Sequence, residues 1–277
     1  MAYLTYIIDH YNVLPDLVIF THAHEKAWHN NDIQRSSTLV MLSELNYRRA
    51  MKQGYMNLRC HWKPGCPDWI QINASEESDE YQERYVMRES LMSIFPQEML
   101  LDGSVPDVIG TPCCAQFAVT RDRILQHPRQ RYVAWRKWVI DTHLPDDISG
   151  RVMEYLWHYI FASPSLASTQ EKMVKCPLEH KCFCDGYGYC FGGAEKYEKW
   201  RNKVEKSQEL AERLKLAEEG VGRKPGEDEN WRREGMKKLG MEIRQMREET
   251  MAEAQEAKNR GVDPSARRKE VGDEFSG

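Results

Sequence analysis

Charge density doubles abruptly after Phe191-Gly192-Gly193. Residues 194–277 hold 20 Lys+Arg and 20 Asp+Glu, whereas residues 1–193 hold only 19 and 23 in a much longer stretch. Ionised side chains resist burial without partners. A segment this charged, with thin apolar stripes, is therefore expected to form helix and disorder rather than a core of its own. All eight Cys and most of the aromatic residues precede the change, so the first part has the apolar mass for a core. The expected organisation is a globular domain over 1–193 with a Cys-rich end at 176–190, then a charged helical and disordered tail over 194–277. In the tail, Tyr197, Trp200, Val204, Ala211 and Leu214 form a helical stripe suited to docking a partner through 195–216. Residues 220–230 interrupt it, a second stripe (Leu239, Ile243, Met246) follows, and the C-terminal end reads as disordered.

The charge balance excludes some function classes. The net charge is −4, and neither part has the one-sided Lys/Arg excess that neutralises phosphates, so nucleic acid is not an expected partner. The apolar runs are too short for a transmembrane segment. The start, Met1-Ala2-Tyr3-Leu4-Thr5, shows neither a positive region nor an apolar region of a signal peptide.

The first part reads as strands alternating with helices, an α/β layered sheet with flanking helices. Tyr3, Leu4, Ile7, Ile8 and Tyr11 give an amphipathic helix over 2–12, and Leu17-Val18-Ile19-Phe20 a short strand buried on both faces. A helix is expected over 36–52, a strand over 54–60, and a Pro/Gly/Trp loop over 61–69. An acidic stretch, 75–84, leads to a helix ending before Pro96. Cys113–Thr120 reads as a second apolar strand, with Thr120 capping the helix that starts at Arg121. Helices over 129–143 and 149–161 complete the set, the latter apolar on nearly every face and so buried.

The eight cysteines, Cys60, Cys66, Cys113, Cys114, Cys176, Cys182, Cys184 and Cys190, are even in number and end in a dense cluster. That pattern fits disulfides in an oxidising compartment, a metal site otherwise, or free thiols. The four from Cys176 onward lack paired C-x2-C knuckles, and by themselves admit three pairings. Cys113 and Cys114 are adjacent, so a mutual bridge is expected to be strained and each to have a distant partner or simple burial.

Three constellations can carry chemistry. His22-x-His24-x4-His29 follows the first apolar strand, where open α/β sheets place their ligands, and neutral imidazole suits Zn, Mn or Fe. The plain reading is that these histidines bond backbone in a crowded loop. Arg151, Glu154 and His158 form one polar stripe on the buried helix. They are read either as an Arg151–Glu154 ion pair or as catalytic groups, with Glu154 a general base whose pKa burial raises. Gln116, Arg121 and Arg123 cluster at a strand end and helix start, a seat for phosphate that ordinary surface arginines match as well.

Six motifs fall in an order that resembles the fungal domain-of-unknown-function 3431 family over nearly all of 1–193. They are Tyr3–Tyr11 with Leu14-Pro15-Asp16, Phe20–His24 with Trp28-His29-Asn30, Gly54–Cys60, Cys113–Thr120, Ser149–Phe161 and Cys182-Phe183-Cys184-Asp185-Gly186-Tyr187-Gly188. By analogy, the motif order resembles A-type glycosyltransferases. His22-x-His24 then stands in the place of the D-x-D metal motif, Ala115–Arg121 in the acceptor strand, and Glu154 in the place of the acid. His for Asp departs from that pattern. The resemblance also implies a strand and loop ahead of the first helix, of the kind that holds a nucleotide base. A chain beginning at that helix is accordingly expected to be truncated or a degenerate copy.

The expected function is a glycosyltransferase-like domain acting on a sugar nucleotide or glycan. Glu154, Arg151 and His158 would be catalytic, Gln116, Arg121, Arg59 and Trp62 would contact substrate, and a divalent metal (Mn or Zn) would sit at His22, His24 and His29. Two other readings stand beside it: a His-metal-dependent hydrolase, and a non-catalytic, Cys-stapled binding domain whose helical tail docks a partner.

Overall fold

The computed structural model describes residues 1–72, 82–95, 105–162, 169–221 and 229–272; the acidic stretch up to residue 81 lies outside them, as does most of the interruption at 220–230. Two compact units emerge, 1–182 and 183–275. In chain order the first contains α1 (Ala2–His10), β1 (Leu17–Phe20), a 3-10 turn (Asp32–Gln34), α2 (Thr38–Glu44), α3 (Tyr47–Gln53), β2 (Tyr55–Asn57) and β3 (Ile70–Gln71). It continues with α4 (Glu83–Ile94), β4 (Val108–Ile109), β5 (Phe117–Thr120), α5 (Arg121–Ile124), α6 (Arg129–Asp141), α7 (Asp146–Glu154), α8 (Trp157–Ile160) and α9 (Thr169–Met173). The division between units falls within α10 (Glu179–Tyr187), and the second unit goes on through α11 (Ala194–Glu218), α12 (Glu229–Arg260) and α13 (Pro264–Val271).

The fold is mixed α/β, dominated by helix around a small sheet. β5 lies between β1 and β2 and is antiparallel to both, with Phe117 opposite Phe20 on one side and Asn57 on the other. All four β5 residues are buried, which is why the strand reads as a continuous apolar run. The parallel-sheet crevice expected at the strand ends therefore does not form as such. β1 and β2 nonetheless run the same way, so their carboxyl ends and the entry to β5 meet at one end of the sheet. There the loops after Phe20 and Asn57 converge with the loop 113–116. β3 and β4 pair separately. The core packs Leu4, Ile7 and Ile8 of α1 with Phe20, Tyr55, Phe117, Trp157 and Phe161, all buried rings or aliphatics.

Several expected elements are shorter or split. The 36–52 helix is two helices, because Asn46 accepts hydrogen bonds from the N–H groups of Arg48 and Arg49 and so starts α3 afresh. The strands at 54–60 and 113–120 keep only three and four residues in the ladder. Thr120 does cap α5, accepting from Arg123 N–H at 3.4 Å. The 149–161 helix breaks after Glu154, where the Tyr155 N–H donates to Arg151 O and the Leu156 N–H tightens onto Met153 O. His158 thus belongs to another helix, and the single polar stripe of Arg151, Glu154 and His158 does not exist.

All eight cysteines are bridged: Cys60–Cys182, Cys66–Cys176, Cys113–Cys114 and Cys184–Cys190. Only the last lies within the C-terminal cluster. Two bridges return to Cys60 and Cys66, across 122 and 110 residues of sequence. The expectation of distant partners for Cys113 and Cys114 is corrected. These two bond each other, the turn accommodating them through left-handed backbone at Cys114 (φ 85°) and Ala115 (φ 49°).

The second unit has a core of its own, contrary to the reading of a tail. Phe183, Tyr187, Phe191, Tyr197 and Trp200 form a continuous run of ring contacts. α11 and α12 lie antiparallel, Ala217 meeting Arg232 while Trp200 donates its indole N–H to Thr250 O at 3.0 Å. Leu210, Ile243 and Ala257 are buried with them. The stripe at 195–216, read as a partner face, is therefore already covered by α12. The charges stay outside as same-surface pairs such as Lys199–Glu195 and Lys203–Glu253. The C-terminal end is also helical through Val271, which packs on Cys184 and Cys190. Among the described residues no helix is long and apolar enough to cross a membrane.

Candidate functional site

At the convergent end of the sheet, the first unit opens a cleft of about 480 Å³ lined by His22, Trp28, His29, Pro64, Trp69, Glu83, Cys113, Cys114, Arg151, Glu154 and Tyr155. The floor is the 113–116 turn. It is fixed from below by Asn57, whose side chain donates to Pro112 O at 2.6 Å, and by the Cys113 N–H bond to Pro64 O. Gly65 (φ +125°) permits this approach, since a Cβ there would collide with the Thr111 carbonyl.

Both polar groups of one peptide residue orient the site. The Cys114 N–H donates to Glu154 Oε1 at 2.7 Å, and the Cys114 carbonyl accepts from His22 Nε2 at 2.6 Å. A carbonyl can only accept, so the His22 proton is on Nε2. The Glu154 carboxyl is pushed up by burial and by the nearby Glu83, against the pull of the Cys114 N–H, Arg151 and Arg59. Its charge acts outward too: burial first and Glu154 second raise Tyr3 to about 12.

The Arg151–Glu154 ion pair considered from the sequence is corrected, because Arg151 reaches Glu83 instead, 3.3 Å from its carboxylate. Glu83 is 3% exposed and Arg151 about half exposed, so the pair forms one wall of the cleft. Among the described residues Glu154 has no ion-pair partner.

The three predicted histidines separate. His22 and His29 bring their rings to 4.5 Å between centroids, while His24 is exposed at the turn. His29 is lowered to about 4, chiefly by burial and then by His22, Arg59 and His24, and its buried Nε2 has no hydrogen-bond partner. Among the described residues the sets of three metal-binding side chains with ligand atoms within 4.8 Å are Cys113/Cys114/Glu154 and Cys184/Cys190/Glu270, not the histidines. The geometry therefore does not fit a three-histidine ion.

Other expected residues serve the frame. Gln116, wholly buried, accepts from His22 N–H and donates to Asn30, which ties the histidine loop to the sheet. Arg59 donates to the carbonyls of Trp28 and Lys63 and lies 5.7 Å over the Trp28 ring. Trp62 donates its indole N–H to Pro177 O at 2.6 Å. Arg121 pairs with Asp16 at the surface, and Arg123 donates to Ala162 O. His158 is fully buried against Met173 O and away from the cleft lining.

The sequence reading missed Glu83, Trp28, Trp69 and Tyr155 as cleft residues. Trp28, a lone indole beside His29 in a polar segment, was the one signal the sequence offered, and its ring stands 70% exposed in the cleft lining. Glu83 sat at the end of an acidic stretch that showed no face.

The family model described as "Protein of unknown function (DUF3431)" matches residues 1–185. The chain belongs to this family. The DUF3431 match covers the whole cleft, both long-span disulfides and the sheet. No curated protein and no solved structure matches the chain.

Proposed function

We propose that this cleft binds a sugar and transfers a glycosyl group to a hydroxyl, with Glu154 taking the hydroxyl proton. One observation carries the reading: a carboxyl pushed up by burial lines an open cleft without an ion-pair partner. A carboxyl in that condition accepts and releases a proton near neutral pH more readily than a surface carboxylate does. Trp28, Trp69 and Tyr155 supply apolar faces against which a pyranose ring packs, and Glu83 with Arg151 supplies polar groups for its hydroxyls. The analogy with A-type glycosyltransferases belongs to the same proposal. The half-exposed Arg151, a cation in the cleft lining, would face a donor phosphate.

Titrating the full chain with nucleotide-sugars and oligosaccharides tests this, followed by product analysis with the tight binder. The proposal expects the parent to bind and turn over, and Glu154→Gln to bind without turnover. Failure to bind any sugar or nucleotide-sugar ends it, and binding without turnover by the parent leaves a glycan-binding domain. A second reading, glycoside hydrolysis, draws support from Glu83 and Glu154 sharing one cleft, the carboxylate pair such chemistry uses. Release of free sugar into water, with no acceptor required, distinguishes it.

A further inference from the structure

The Cys113–Cys114 bridge lies at the cleft itself, with both residues in the lining and Glu154 beside them. The two sulfurs and a Glu154 oxygen lie within 4.8 Å of one another. Around them the cleft offers one more ligand type, for His29 is 9% exposed, lines the same cleft and has an Nε2 with no hydrogen-bond partner.

We propose that, once the Cys113–Cys114 disulfide is reduced, its two thiolates and the Glu154 carboxylate form a binding site for a single thiophilic divalent cation of the zinc and cadmium class. Reduction takes two electrons and two protons from a dithiol, which leaves as its own disulfide, and converts the bridge into two thiols. Cation binding then displaces the two thiol protons and forms two metal–sulfur bonds and one metal–oxygen bond, with no change in the metal's oxidation state. Soft thiolates select such ions over magnesium or calcium, which favour all-oxygen ligands. Oxidised, the site holds no thiolate and Glu154 is left to the cleft. Reduced and loaded, the cation holds the Glu154 oxygen that the proposed transfer uses, so the same bridge decides between a working cleft and a metal-blocked one. That consequence rests on the proposed sugar chemistry, whereas the cation site does not.

The test uses the full chain, anaerobic, reduced with dithiothreitol, desalted and titrated with cadmium while thiolate-to-cadmium absorbance is followed. The other reduced cysteines are controlled by variants. The proposal expects one equivalent of cadmium to be lost in C113S/C114S and retained in C184S/C190S, Glu154→Gln to weaken that equivalent at least tenfold, and the oxidised protein to take up none at this site. A measurement on the parent alone guards against misfolded variants. Cadmium should protect Cys113 and Cys114 of the reduced chain from iodoacetamide, read by peptide mapping. Equal uptake by the parent and C113S/C114S, or equal alkylation of Cys113 and Cys114 with and without cadmium, overturns the proposal. Neither readout involves sugar, so loss of the cation site and loss of the transferase reading are separate results.

Discussion

Glu154 accepts a 2.7 Å hydrogen bond from the backbone N–H of Cys114, while its helix neighbour Arg151 turns away to Glu83. The carboxyl is thus held by a neutral donor, and Arg151 does not depend on its charge. Replacing it with Gln keeps an oxygen for that N–H and removes the charge that burial opposes. Glu154→Gln should therefore change stability by less than about 1 kcal/mol, or raise it, while abolishing transfer. Arg151→Ala should do worse, about 1–3 kcal/mol, because it strands the buried Glu83 carboxylate. Chemical denaturation of both variants checks the order; a Glu154→Gln loss larger than that of Arg151→Ala would falsify the pairing.

Acid should loosen the fold through its buried imidazoles. Burial, the largest cause, holds His158 at about 4 against its usual 6.5, its Nε2–H bonded to Met173 O and its Nδ1 unpartnered. A base lowered on folding contributes fully above 6.5 and loses that contribution as the pH falls towards 4. His158→Gln, which keeps the donor, should flatten the stability profile across that window. An unchanged acid slope in the variant, measured by melts from pH 7.5 downward, sinks this account.

Glu154 carries the opposite sign. Its carboxyl is raised above 4.5, so its favourable contribution is complete below that value and declines as the pH rises through the raised one. The stability of Glu154→Gln relative to the parent should therefore improve from acid towards neutral pH. Paired melts read this difference directly, and a relative loss on going to neutral pH contradicts burial as the dominant cause.

Reductant, not chelator, should destabilise the first unit. The Cys60–Cys182 bridge closes a long segment, with 122 residues of separation, and losing it should cost about 4 kcal/mol. Non-reducing peptide mapping should return Cys60–Cys182, Cys66–Cys176, Cys113–Cys114 and Cys184–Cys190. A melt lowered by chelator alone would point to a resident metal instead.

The second unit should unfold on loss of one indole. Trp200 is 3% exposed, packs on Phe191 and Tyr197, and bonds Thr250 O. Trp200→Ala should cost that unit about 3–5 kcal/mol. Hydrogen exchange in α11 and α12 reports it, and unchanged protection there would restore the reading of a core-less tail.

Short-range features were legible in the sequence because their causes are local. The α1 stripe, the apolar run 17–20, the Thr120 cap and the apolar mass before Gly193 all appear where periodicity and capping place them. Glu154 stood out because a carboxylate among apolar residues must be paired or functional. The break after Glu154 did not, since Tyr155 and Leu156 carry no helix-stopping chemistry, and so His158 was grouped with a cleft it does not line. The charged second unit was misjudged for a related reason. Charge density measures how many residues stay wet, whereas a two-helix core needs only one narrow stripe on each partner, met here by Trp200, Leu210, Ile243 and Ala257.

By itself the sequence determined the family, the places of α1, β1 and β5 along the chain, and the count of bridgeable cysteines. Tertiary structure alone decided which cysteines meet, that Arg151 serves Glu83, and that the backbone of one residue, Cys114, holds both His22 and Glu154. The physical reason is range. Helix and strand propensities act over a few residues, whereas disulfide geometry, ion-pair choice and cleft lining depend on atoms brought within a few ångströms across 40 to 122 residues of chain.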